Sequence, residues 1–279
     1  MNHKQQFRIV VMGLVAALAT IVANRASAQT PITGWGLETG AANATLTDSG
    51  GGNFSVTTPT GNSAPRAVLP GFYDFSVVGE VVELSGSVTI ANNFGNEQFR
   101  FGLFNTNNNN PGTLSGGLWS GATASGWLGY IIEPGNANGG GTTAVYGRNG
   151  SGANGWFSTS GAAYSLANNA DTGVGATANG VYSFDLTLTR LSATSVGISY
   201  SFIETDGTGN LSCVGSVTDN GGLSSGMSSF NTAGFLLNAN TGAATFSGVT
   251  VAVPEPSVFV LAGLGFAGLA LIRARRRQA

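Results

Sequence analysis

The chain has 279 residues, a net charge of −2, only 9% charged side chains, 44 glycines and one cysteine. Its single histidine, His3, lies at the extreme N-terminus, which excludes a Ser-His-Asp or Cys-His arrangement and a histidine-ligated metal centre from the rest of the chain. Lone Cys213 excludes an intrachain disulfide, and the sparse acidic charge excludes the basic face that nucleic acid requires.

In chain order, Met1–Ala28 carries Lys4 and Arg8, an apolar run from Ile9 to Ala23, and then Asn24-Arg25-Ala26-Ser27-Ala28. That is the layout of a signal peptide, with Ala26 and Ala28 before a cut at Gln29. The alternative is an uncleaved N-terminal anchor; both readings place the body of the chain outside the cytoplasm. Residues 29–253 hold four arginines, no lysine and twelve acidic side chains, a net charge of −8. This suits a solvated extracellular protein. Residues 29–252 are long enough to bury one substantial core and form one domain.

The dominant signal in that domain has period two. Leu84, Gly86, Val88 and Ile90 alternate with polar positions, and Phe99, Phe101 and Leu103 come next, with Arg100 facing the other way. Tyr182, Phe184, Leu186 and Leu188 alternate with Ser183, Asp185, Thr187 and Thr189. Val196, Ile198, Tyr200 and Phe202 do the same after a short turn, so Tyr182–Phe202 is the clearest hairpin. Its place is expected in the middle of a sheet. Weaker strand patterns cover Phe54–Val56, Val68–Phe75, Trp127–Ile132, Thr142–Tyr146, Leu211–Val217, Ala233–Leu237 and Phe246–Val253. Pro70 demotes the second of these to an edge strand or a loop. Asn- and Gly-rich connections at Asn105–Gly112, Gly135–Gly141, Arg148–Gly155 and Asp219–Gly226 read as loops. No stretch between the two ends has a sustained helical period. About a dozen strands with short turns predict an all-β, two-sheet antiparallel sandwich of jelly-roll type.

The C-terminal stretch 253–279 is different. Val253-Pro254-Glu255-Pro256 precedes an uncharged apolar run, Ser257–Ile272, and then Arg273, Arg275, Arg276 and Arg277. Sixteen helical residues span roughly 24 Å, slightly short of a ~30 Å hydrocarbon core, and the arginines can snorkel across the difference. The basic cluster stays cytoplasmic, so the chain before Pro254 lies outside. The expectation is a transmembrane helix over 257–272.

These three parts, in this order, resemble the PEP-CTERM sorting signal of exported bacterial proteins. The resemblance implies recognition of Val253, Pro254, Glu255 and Pro256 by an exosortase-type processing protease in the membrane. It also implies an association with the cell surface or an extracellular polysaccharide matrix. The body resembles the concanavalin-like lectin and glucanase jelly rolls through Glu97–Phe104, the hairpin Tyr182–Phe202 and the closing pair Ala233–Leu237 with Phe246–Val251.

Candidate chemistry is thin. Jelly-roll glucanases place acids on one strand face, but Glu80 and Glu83 are three apart and so on opposite faces. Asp185 faces outward among Ser and Thr with no acid beside it, and Glu204 and Asp206 fall in a turn. No cofactor is expected. Calcium is the alternative, held by Asp206, Asp219, Asn220 and loop carbonyls, although these are also ordinary turn residues. Trp119 and Trp156 sit in Gly-rich surroundings. Exposed, they would stack on a sugar ring; buried, they plug the ends of the sandwich. The chain therefore reads as an exported, non-enzymatic, surface- or matrix-associated protein, glycan-binding or structural. The alternative is a polysaccharide-degrading glycosidase or lyase on the same fold.

Overall fold

Alternating apolar and polar side chains put one face of each strand against a partner sheet and the other outside. A computed structural model describes residues 27–38, 44–57, 61–94, 99–106, 112–120, 126–135, 141–149, 157, 163–172, 176–221 and 227–254. The expected signal segment up to Ala26, Trp156, and the tail from Glu255 through Pro256 to Arg273, Arg275, Arg276 and Arg277 lie outside the described residues. No helix among the described residues is long and apolar enough to cross a membrane.

The described residues form seventeen strands. In chain order they are β1 (Ser27–Pro31), β2 (Gly36–Glu38), β3 (Thr45–Gly50), β4 (Asn53–Thr57), β5 (Pro65–Asp74) and β6 (Val81–Ile90). Next come β7 (Phe99–Asn105), β8 (Thr113–Ser115), β9 (Leu118–Ser120), β10 (Leu128–Glu133), β11 (Thr142–Asn149) and β12 (Ala163–Ala170). The last five are β13 (Gly180–Arg190), β14 (Val196–Glu204), β15 (Ser212–Asp219), β16 (Ser229–Leu237) and β17 (Ala244–Pro254). The first sheet runs β15-β14-β13-β6-β17-β4-β3, with β1 also on β17, and the second runs β12-β11-β10-β7-β16-β5-β2-β9-β8. Along both runs the pairing is antiparallel except between β2 and β9. The chain changes sheet repeatedly, as at β4 to β5, β5 to β6, β6 to β7 and β12 to β13, which makes the sandwich a jelly roll. Residues Gln29–Ala252 form one compact unit.

The core is an aromatic layer between the sheets. Phe54 stacks on Trp35 at 4.2 Å and on Phe246 at 4.3 Å between ring centroids. Phe246 meets Phe235 at 4.5 Å, Phe235 meets Phe184 at 5.2 Å, and Phe99 meets Phe202 at 5.2 Å. Tyr182 stacks on Phe202 at 4.8 Å. The hairpin is as expected: Phe184 pairs with Phe202, Leu186 with Tyr200 and Leu188 with Ile198, and β13 sits between β14 and β6. Phe184, Leu186, Ile198 and Tyr200 are all buried. Gly86 on β6 makes room for Phe184, because a Cβ there would lie 2.8 Å from Phe184 Cζ and 3.1 Å from Val249 Cα.

Pro70 falls where expected: among the described residues β5 pairs with β16 on one side and with β2 only at Pro65 and Arg66 on the other, so Val68–Asp74 is bonded on one side alone. Its register on β16 breaks between Val68 and Tyr73, and the proline occupies that irregular stretch, where no ladder bond is lost. The strands β1, β2, β3, β8, β9 and β12 were not legible as alternation. The strands β2, β8 and β9 have three residues each, too few to show a period, and Thr45–Gly50 is mostly exposed and polar.

Truncating Phe184 to Ala is expected to cost ~3–5 kcal/mol, as for a buried aromatic. Gly86→Ala, which overpacks the same spot, should cost roughly 1–3 kcal/mol. Thr187→Ala on the outer face removes one hydroxyl bond to Asp185 and should cost about 0.5–1.5 kcal/mol. Equilibrium urea unfolding followed by circular dichroism checks all three.

Candidate functional site

The two outer faces of the sandwich differ in kind. On the first sheet, outward positions of β6, β13 and β14 are small and polar: Ser85, Ser87, Ser183, Thr187, Ser199 and Ser201. Ser85 and Thr250 hydroxyls lie 3.2 Å apart across the β6–β17 pair. Toward the β13–β14 turn the face dips into an open depression of about 490 Å³, lined by Thr189, Ser199, Ser216 and Thr218 with Leu191 and Val217. Its lining offers hydroxyls and methyl groups and no charge.

The same face holds a carboxyl pair. Asp185 lies opposite Ser85, and Glu83 lies opposite Thr187, so the two acids are diagonal neighbours across β13 and β6. Thr187 Oγ1 donates to Asp185 Oδ1 at 3.0 Å, and Glu83 faces the same carboxyl from the neighbouring strand. Burial pushes the Asp185 carboxyl up to about 6, with Glu83 adding to the shift. The reading that Asp185 has no acid beside it is therefore corrected. The acids are far apart in sequence, and only the β6–β13 register brings them together. The pair sits on an open sheet face, four residues along β13 from Thr189 in the depression, or roughly 13 Å.

The middle strands of the second sheet, β7, β10 and β16, are buried on both sides. Every residue of β7 is buried, and Phe104, Trp127, Ile131 and Phe157 form an apolar cluster with Ala64, Tyr146 and Leu236 packed on it. Three of the four arginines of residues 29–253 lie in this sheet, and all are buried: Arg66, Arg100 and Arg148. The Arg66 guanidinium lies over the rings of Trp119 at 4.7 Å and Trp127 at 5.2 Å. Burial lowers the pKa of Arg66 to about 10 and lowers that of Arg148, while the charge of Glu38 opposes both shifts. Arg100 Nε donates to Glu133 Oε2 at 2.6 Å, and its Nη1 donates to the Phe157 carbonyl at 2.8 Å.

This arrangement decides the place of Trp119. The ring is only 6% exposed, its Nε1 donates to the Arg66 carbonyl at 2.9 Å, and the guanidinium covers it. Trp119 is a buried packing residue and not a sugar-stacking platform; Trp156 lies outside the described residues.

Glu204, Asp206 and Asp219 are occupied by the fold. Asp206 accepts from Val181 N–H at 2.9 Å and Thr208 N–H at 3.0 Å, and the Thr208 bonds hold its carboxyl below the usual range. Glu204 accepts from the hydroxyls of Thr177 and Thr208. Asp219 accepts from Tyr130 and Tyr164 hydroxyls, both at 2.9 Å, tying the edge of one sheet to the other. Asp206 lies just past the end of β14 while Asp219 ends β15, opposite Val196 at the start of β14. The fold therefore does not bring these two together, and no cluster of three His, Cys, Asp or Glu suited to a metal occurs among the described residues. Cys213 is fully buried, and burial pushes its thiol up to about 12.

Residues 252–277 match the PEP-CTERM protein-sorting motif. The chain matches no curated protein. Among solved structures it is similar to arcelin-5, a lectin-like defence protein from Phaseolus vulgaris, at 11% identity and a TM-score of 0.45, over 82% of this chain and 96% of that one. It is also similar to the carbohydrate recognition domain of Emp46p, at 12% identity and a TM-score of 0.39, over 78% and 90%. A third is the alginate lyase AlyC3, at 12% identity and a TM-score of 0.38, over 75% and 77%. The sorting motif marks an exported protein that is processed at a membrane.

The raised Asp185 carboxyl binds its proton more tightly in the folded state than unfolded, so the stability it contributes is complete below its ordinary value of 3.8 and is lost as pH rises through about 6. Asp185→Asn keeps a donor toward Glu83 and an acceptor for Thr187 but does not titrate. Its urea midpoint should match wild type near pH 4 and exceed it at about pH 7.5. Glu133→Ala leaves Arg100 buried without its carboxylate and should cost ~3–5 kcal/mol, whereas the double change Arg100→Met with Glu133→Leu should recover most of that loss in the same measurement.

Proposed function

We propose that the protein is an exported, non-enzymatic β-sandwich, delivered to the cell surface or matrix by its C-terminal tail, where it binds a neutral glycan. The observation that carries the reading is the PEP-CTERM motif over residues 252–277. In this reading 1–28 is a removed leader, 29–252 the working domain, and 253–279 a membrane-spanning address cut by an exosortase-type protease. Surface charge supports the choice of a neutral ligand. All four arginines between residues 29 and 253 are buried and that stretch has no lysine, so its exposed charge is acidic throughout. An acidic surface repels uronates and sulfates but not uncharged sugars. The hydroxyl-lined depression on the first sheet has the size of a small-ligand site.

The alternative, a glycosidase, gains one specific observation: a carboxyl raised to about 6 beside a second acid. Against it, the two acids are diagonal cross-strand neighbours side by side on one sheet face, and not opposed across a cleft as the acids of a glycosidase are.

The tail and the ligand are tested separately. Pro254→Ala with Glu255→Ala should leave the melting point unaltered but stop processing, read by mass spectrometry of surface-released protein. A mature wild-type species still carrying Arg273–Arg277 would count against the address. On a glycan array the released protein should bind neutral polysaccharides and ignore uronate- or sulfate-bearing ones. Silence on every neutral glycan would sink the binding role.

A further inference from the structure

Six large apolar side chains are exposed among the described residues, and four of them gather at one end of the sandwich. They are Phe72 at 69% exposure, Val77 at 59%, Val78 at 60% and Leu191 at 47%. The end is fixed by strand register. Val81 at the start of β6 pairs with Thr189 near the end of β13, and Asp74 at the end of β5 pairs with Ser229 at the start of β16. Phe72 protrudes from the irregular stretch of β5, beside Pro70 and Gly71.

The valines are held outward by a built turn. Glu80 N–H donates to the Val77 carbonyl at 3.1 Å, and Val77 N–H donates to Glu80 Oε2 at 2.7 Å. Gly79 takes the positive φ of +92° that this turn requires at its third position. The turn is pinned to β13, since Gly79 N–H donates to the Arg190 carbonyl at 2.8 Å and Arg190 N–H to the Glu80 carbonyl at 2.9 Å. Ordering Val77 and Val78 into water with four backbone and carboxylate bonds has no packing reason within the fold.

The chain leaves the unit at this same end. Ala252 pairs with Glu83, two residues from Val81. From Ala252 to the start of the apolar run at Ser257 there are five chain steps, which extended cover at most about 18 Å. A tail embedded from Ser257 onward therefore keeps this end within about 18 Å of the bilayer surface. We propose that Phe72, Val77, Val78 and Leu191 form a membrane-contact rim that seats the sandwich on the lipid while its tail is embedded. This rests on the reading of 257–272 as a membrane segment. The partner is the lipid surface: small aliphatic and aromatic side chains on a tethered end suit the headgroup–acyl boundary.

The test uses the full chain in phosphatidylcholine vesicles containing doxyl-labelled lipid. Because Cys213 is fully buried, a new surface cysteine can be labelled selectively with a polarity-sensitive fluorophore. Val77→Cys and Leu191→Cys labels should shift to the blue and be quenched by the doxyl lipid. Val214→Cys, on an exposed position of β15 five residues from Asp219 and so roughly 17 Å from this end, should do neither. A Leu264→Cys label reports the tail itself. If it is quenched while 77 and 191 emit as 214 does, the rim is overturned and the anchor stands. If it is not quenched, the anchor reading fails and the rim falls with it.

Discussion

The structure depends on one layer of aromatic rings held between two sheets. Nothing covalent assists it, because the chain has a single cysteine, and few charges are available to lock surfaces together. Phe54, Phe99, Phe184, Phe202, Phe235 and Phe246 come from six different strands and meet in that layer. Each contact adds about 0.5–1.5 kcal/mol beyond the area it buries, and only one register of each strand keeps its ring inside. The rigidity of the outer faces is a consequence: side chains there stand where the inner rings put the backbone.

The two outer faces then diverge for a reason of composition. On the first sheet the outward residues are short hydroxyl side chains, which leave a flat wet surface and a shallow hollow. On the second sheet they include Arg66, Arg100, Phe104 and Ile131, too large and mixed to be left in water. Phe104 and Ile131 are buried with Trp127 and Phe157, Arg100 is paired with Glu133, and the Arg66 guanidinium lies against the faces of Trp119 and Trp127. Burying every basic group of the domain in this way leaves its acids to define the surface. The protein thus has one wet, hydroxyl-rich face and one that serves as a second core.

Much of the first sheet was legible in the sequence because one side of it faces water, so burial alternates with period two. In β13 and β14 the pattern runs without interruption, and the core residues and central position came from it. The second sheet wrote a blurred signal: β7 is buried at all seven positions, and Phe99-Arg100-Phe101-Gly102-Leu103-Phe104 does not say what covers its outer side. The same gap left Trp119 open between exposure and burial, because nothing local to its glycine-rich flanks shows the guanidinium from β5 that covers it. The Glu83–Asp185 pair was hidden differently. Each acid stands at an outward position that alternation identifies, but strands a hundred residues apart in sequence have no local rule that sets their register. The tail was legible for the opposite reason, since the sorting motif over residues 252–277 is contiguous in sequence and is recognised without any tertiary partner.

Charge and tether together decide how such a domain behaves at a membrane. A domain of net charge −8 with no basic side chain at its surface is repelled by anionic lipid. A rim of two valines, a leucine and a phenylalanine is too small to overcome that on its own, because binding from solution costs the freedom of the whole molecule. In the proposed anchored state, attachment through five chain steps would change the balance: the tail would already have given up the freedom, and the rim would act at the high effective concentration that a short tether imposes. Weak apolar contacts can then orient the sandwich without fixing it. Once the tail is cut, the same contacts fall back to their small intrinsic value while the acidic surface is unchanged. Seating and release therefore need no conformational change in the sandwich, only the presence or absence of one covalent link beyond Ala252.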